Sequence, residues 1–105
     1  MIKINMEYRK GILFIRLKGE LTRFTYEKLM NYLIPMIREK GIKNIVLNLN
    51  CINLIDNYGK AAIKTIISET KYHSGKGLIC NSKTRFDESI RVVKDELTAF
   101  NLLKV

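Results

Sequence analysis

The chain has no tryptophan, one proline, one histidine and two cysteines in 105 residues. Each shortage removes a class of answers. Cys51 and Cys80 lack C-x-x-C spacing and have only His73 as a histidine partner, which leaves no metal cluster or disulfide framework to propose. They read as small apolar side chains to be buried. No apolar run approaches the roughly 20 residues that span a bilayer. The opening Met1-Ile2-Lys3-Ile4-Asn5 alternates and carries charge, unlike a secretory leader. The expectation is a cytoplasmic protein with no membrane partner. Motifs of catalysis are missing as well: there is no G-x-S-x-G elbow, Walker loop, dinucleotide fingerprint or H-E-x-x-H. Nor does spacing tie an acid or nucleophile to His73, Ser68 or Ser89. The reading is therefore not an enzyme, with no catalytic residue, metal or cofactor. Acidic residues are also scarce, 10 against 19 Lys and Arg, for a net charge of +9. That excess is diffuse, and no helix-turn-helix, zinc or RNA-binding signature goes with it. An A- and T-rich coding bias, which also raises Ile and Asn, accounts for it better than a nucleic-acid partner does.

What the chain does have is hydrophobic order. Its length suits a single domain over residues 1–105. Ile2, Ile4 and Met6 alternate with Lys3, Asn5 and Glu7, the pattern of a half-buried strand. Arg9-Lys10-Gly11 is a turn, and Ile12 to Leu17 a second strand that Gly19-Glu20-Leu21 ends. Tyr26, Leu29, Met30, Leu33, Ile34 and Ile37 follow a helical period, with Thr25 as the expected N-cap and Gly41 as the stop. Pro35 falls inside this run and is expected to kink or divide it. Asn44 to Leu49 is a central strand with a continuous apolar stretch. Ala62, Ile63, Ile66, Ile67 and Thr70 mark a second helical stripe, and Gly77 to Cys80 a short strand. Phe86 to Phe100 reads as a third helix with Ile90, Val93, Leu97 and Phe100 inward and Asp87-Glu88 and Asp95-Glu96 outward. Leu102 to Val105 completes the series as an edge strand. Alternation of this kind specifies an α/β domain with a mixed, mostly parallel sheet of about five strands and covering helices. The first strand, joined to the second by a tight turn, runs antiparallel to it.

Three segments carry a resemblance across the full length: Gly19-Glu20-Leu21 ahead of a helix opening near Thr25, Gly41-Ile42-Lys43 leading into Asn44–Leu49, and Leu54-Ile55-Asp56-Asn57-Tyr58-Gly59. In this order the chain resembles the STAS domain family of bacterial anti-sigma-factor antagonists, with its Gly-Glu-Leu-Asp segment, central strand and Ile-Asp-Ser-Ser-Gly turn. The resemblance implies a non-catalytic regulator. Its partner would be an anti-sigma factor, often a serine kinase of ATPase fold, or another regulatory protein. In the family that kinase inactivates the antagonist by phosphorylating the serine after the Asp, which adds charge and bulk at the contact surface. Here Asn57 stands at that position, and Thr22 replaces the acid of Gly-Glu-Leu-Asp. The implied protein is an antagonist that stays competent to bind, or a divergent STAS module in another assembly. A basic adaptor for nucleic acid or an acidic surface is the alternative.

The expected partner surface is Asp56, Asn57, Tyr58, Gly59 and Lys60, with Thr22 and Arg23 beside them. Each has a plainer role to set against it. Asp56 is an N-cap in its own right. Gly59 either admits a partner backbone or relieves crowding between helix and sheet. Tyr58 is an interface anchor or a ring folded over the core edge. Lys60 and Lys64 face an acidic partner or only water.

Overall fold

In a computed structural model, which describes residues 1–104, the chain opens with a hairpin of β1 (Ile2–Arg9) and β2 (Ile12–Leu21). Lys10 and Gly11 both have positive φ, 53° and 80°, the two-residue turn whose twist matches paired strands. The remaining elements are α1 (Tyr26–Lys40), β3 (Asn44–Ile55), α2 (Asn57–Lys71), β4 (Lys76–Cys80), β5 (Val92–Val93) and α3 (Glu96–Leu103). The strands lie side by side in chain order, with β1 antiparallel to β2 and every later pair parallel. The expected five-stranded mixed α/β architecture is therefore the observed one.

The sheet separates two cores. On one face α1 and α2 bury Leu29, Leu33, Ile37, Ile63 and Ile66 against Ile15, Leu17, Ile45, Leu47 and Ile79. On the other, α3 covers Ile12, Phe14, Val46, Leu78 and Cys80 with Ala99 and Leu103. Consecutive residues Ile45, Val46 and Leu47 thus serve opposite faces, which is why β3 begins with an unbroken apolar run. Two ion pairs brace the elements, one within the α1–α2 layer and one between sheet and α3. Arg38 of α1 donates both guanidinium arms to buried Glu69 of α2, at 2.9 and 2.8 Å. Arg16 of β2 does the same to Glu96 of α3, both at 2.8 Å.

Several expectations are corrected. Residues 86–95 are not helical: Asp87 accepts from the backbone and hydroxyl of Ser89 in a bend, and the β-branched pair Val92-Val93 adds a fifth strand beside β4. The helix starts only at Glu96, where the Asp95 carboxylate accepts from Thr98 N at 2.8 Å. The spacing of Ile90, Val93 and Phe100 mimicked a helix because they serve different layers. Ile90 joins the α1–α2 core, Val93 and Phe100 the α3 core, and Leu97 is exposed. Asp87, Asp95 and Glu96 are bonded groups, not an idle outer face. Of the edge strand expected over 102–105, Leu102 and Leu103 belong instead to α3, Lys104 is in no strand, and Val105 lies outside the described residues. Strands β2 and β3 both run further than periodicity indicated. Their register shifts between Arg16 and Lys18 and between Gly19 and Glu20, so bulges break the alternation. Pro35 does not divide α1. It is exposed, and the carbonyl it leaves without a helical donor belongs to exposed Asn31.

Candidate functional site

The long β3 ends at Ile55, and α2 starts two residues later beside the loop that leads from β2 into α1. Asp56 joins the two. Its Oδ1 accepts from Gly59 N at 2.9 Å, as the N-cap of α2. Its Oδ2 accepts from Arg23 N, also at 2.9 Å, in the β2–α1 loop. The Asp56 amide donates to Leu21 O at 3.3 Å, and its carbonyl accepts from Lys60 N at 3.0 Å. Partial desolvation pushes the Asp56 carboxyl upward, but main-chain donors from Gly59, Arg23, Tyr58 and Asp56 itself outweigh it. The group is held below the ordinary aspartate range and stays ionised.

Thr25 occupies the position before α1, as expected, but its side chain does not cap the helix. Its hydroxyl donates to Glu20 O at 2.8 Å and accepts from Thr22 N at 2.9 Å. The hydroxyl thus closes the loop, while Thr22 O accepts from Thr25 N and Tyr26 N. Thr22 itself is buried, its hydroxyl accepting from Phe24 N at 3.2 Å.

Gly59 is buried, and a β-carbon there would meet Leu21 O at 2.2 Å. It is the point where α2 touches the end of β2, so its immediate role is packing. Asn57 and Tyr58 are exposed on the first turn of α2, and Lys60 is half-buried behind them. The Tyr58 ring lies 5.5 Å from that of Tyr26, tilted by 37°. Arg23 is exposed, its guanidinium 4.7 Å from the centroid of the Phe24 ring. Lys64 Nζ pairs with Asp87 at 2.9 Å, with both side chains more than half exposed.

Sequence reasoning missed Phe24 and Leu54, which are 81% and 53% exposed at this same corner. Leu54 opens the Leu54–Gly59 segment, Phe24 directly precedes Thr25, and both lie outside the helical stripes, a signal that large apolar residues were placed there for something other than the core. Tyr26, assigned to the buried stripe, is half-buried and supports Tyr58. Among the described residues, no three His, Cys, Asp or Glu side chains are grouped to hold a metal ion. No helix is long and apolar enough to cross a membrane.

Sheet order, the two helices on one face and the Asp-capped corner define a class, the STAS fold. The chain belongs to the STAS domain family, whose sequence pattern matches residues 3–97. It is similar to the anti-sigma F factor antagonist of Paenibacillus polymyxa, with 26% identity over 80 residues, 76% of this chain and 68% of that one. In structure it resembles the anti-sigma factor antagonist SpoIIAA in its unphosphorylated form, with a TM-score of 0.78, 18% identity and coverage of 95% and 96% of the two chains. It also resembles an anti-sigma factor antagonist, itself described as putative, from Thermotoga maritima, with a TM-score of 0.84, 12% identity and coverage of 95% and 93%. The two structural likenesses concern the fold.

Proposed function

We propose that the protein is a regulatory binding module of the anti-sigma-factor antagonist type. Its docking surface is the corner formed by the α2 N-terminus and the β2–α1 loop. The observation that carries this reading is the Asp56 bridge. One carboxylate fixes the first turn of α2 and the loop at Arg23 together, so Asn57, Tyr58 and Phe24 project from a fixed frame. Pre-ordered aromatic side chains lose little entropy on docking and make effective anchors. Arg23 and Lys60 supply a cationic rim. The partner is an anti-sigma factor of ATPase fold.

Asn57 occupies the position that, by resemblance, belongs to the phosphorylated serine. A carboxamide has no hydroxyl to accept phosphate, and its small neutral form mimics the unmodified serine. The module therefore remains competent to bind where relatives would be switched off.

The test is a pull-down with an ATPase-fold anti-sigma factor from the same genome, with and without ATP. Wild-type protein is expected to bind in both conditions and acquire no phosphate, whereas Asn57→Ser becomes a substrate and dissociates. Tyr58→Ala with Lys60→Glu is expected to abolish binding. Covalent phosphate on the wild-type corner, or binding unchanged by that double variant, refutes the proposal. DNA binding that falls steeply with salt would favour the basic-adaptor reading instead.

A further inference from the structure

The two sides of the sheet end differently. On the β5 side the last strand is two residues long, a blunted edge. On the β1 side eight consecutive residues pair with β2 without a bulge or a proline, and among the described residues no strand pairs with the outer side of β1. A regular, unprotected edge of this kind is a template for another strand. We infer that β1 pairs with β1 of a second copy of this chain, antiparallel about a two-fold axis through Asn5, so that two sheets become one.

Main-chain parity sets which groups are available. The two-residue turn closes on a hydrogen-bonded Arg9–Ile12 pair, so Lys3, Asn5, Glu7 and Arg9 direct their N–H and C=O groups at β2. Ile2, Ile4, Met6 and Tyr8 direct theirs at the open edge. With Asn5 on the axis, Ile4 faces Met6 of the second copy and Ile2 faces its Tyr8, all four with outward main-chain groups. About eight inter-strand hydrogen bonds form.

Side-chain chemistry selects the same register. Lys3 comes opposite Glu7 of the second copy, twice by symmetry, in the non-hydrogen-bonded positions where cross-strand side chains lie closest. Lys3 makes no salt bridge within its own chain among the described residues, while Glu7 is held in place by Arg16 at 3.0 Å. Sliding by two residues one way sets Lys3 against Arg9, and the other way against Asn5. Sliding by one misaligns the main-chain groups and turns the apolar face outward. The apolar side fits as well. A hollow of about 310 Å³ lined by Ile2, Ile4, Lys28 and Tyr32 runs along the edge and is positioned to receive Met6 and Tyr8 of the second copy. The contact is isologous and closed, so it yields a dimer and not a fibre. It shares no residue with the Asp56 corner.

The experiment is sedimentation velocity over a range of micromolar concentrations, with cross-linking to fix the register. Wild-type protein is expected to dimerise, and Lys3→Glu to raise the dimer dissociation constant about tenfold or more by setting two like-charged pairs face to face. Lys3→Glu chains mixed with Glu7→Lys chains regain opposite charges at both positions and are expected to form a heterodimer. In a Cys51→Ser background, Asn5→Cys is expected to form an interchain disulfide on mild oxidation, because the axis brings the two sulfurs together, whereas Lys3→Cys is not. A wild-type chain monomeric throughout, a dimer indifferent to Lys3→Glu, or an Asn5→Cys protein that does not cross-link overturns the inference. The disulfide readout stands even if Glu7→Lys, deprived of its bond to Arg16, folds poorly.

Discussion

Replacing Gly59 with alanine sets two effects of opposite sign against each other. The residue lies in the first turn of α2, where alanine is the better helix former by about 1 kcal/mol. Propensity alone therefore predicts a more stable protein. The structure predicts the reverse. The new methyl group would lie 2.2 Å from Leu21 O and 2.9 Å from both Leu21 C and Ile55 Cγ1, over an ångström inside ordinary contact for the first. The main obstacle is backbone, which has no rotamer to change. It is also the carbonyl that accepts from the Asp56 amide, so relief of the clash breaks that bond. Overpacking of this kind costs about 1–3 kcal/mol and upward. A backbone obstacle this close belongs at the top of that range, so after the propensity gain Gly59→Ala should lose about 2 kcal/mol, or roughly 8–10 °C in Tm for a chain of this length. Urea titration followed by far-ultraviolet circular dichroism gives the answer, with a lower midpoint at unchanged m as the expected result. A variant as stable as wild type, or more stable, would refute the reasoning about how α2 meets β2.

Pro35→Ala should restore a helical donor to Asn31 and stabilise α1 by about 1–3 kcal/mol, read as a higher urea midpoint. Acid should destabilise the fold over a defined window. Asp56 and Asp95 are held low by main-chain and hydroxyl donors, Glu96 by Arg16 against the opposing effect of burial, and Asp87 at about 2 by Ser89 and Lys64. The unfolded chain takes up protons first, so stability is full above the ordinary carboxylate range near pH 4 and declines from there toward about pH 2. Thermal melts across that range check it, and a flat profile would contradict it. One thiol, not two, should react with Ellman's reagent near pH 8 in the native state, because Cys51 is exposed while burial pushes Cys80 up to about 12. Both should react in denaturant.

The parts of the fold legible in the sequence were those whose burial follows one period within one layer. The stripe of α2 over Ala62, Ile63, Ile66, Ile67 and Thr70 is buried as its spacing implied, and Gly41 ends α1 in the left-handed conformation a stop requires. Reading failed where one stretch serves two layers. Ile90 and Phe100 satisfy a helical spacing while lying in separate cores, and a two-residue strand leaves no alternation to detect. It failed again at Thr25, where propensity names a good cap but the main chain of the preceding loop, at Glu20 O and Thr22 N, claims the hydroxyl. At the corner, Asp56 could be read as a cap from its position before the helix. Its second bond, to the amide of Arg23 thirty-three residues away in sequence, depends on how β2 and β3 are set side by side and has no local signature.

The Asp56 bridge is built almost wholly from main chain: apart from that one carboxylate, every group it joins is an amide or a carbonyl. The side chains aimed outward, Asn57, Tyr58, Phe24 and Arg23, contribute nothing to holding the corner in shape beyond their own contacts. On the proposed reading of this corner, recognition and architecture are written in separate alphabets. On that reading, exchanging a handful of surface letters would retarget such a chain while its skeleton stays as it is, and a repertoire of readers could share one scaffold without sharing a single ligand.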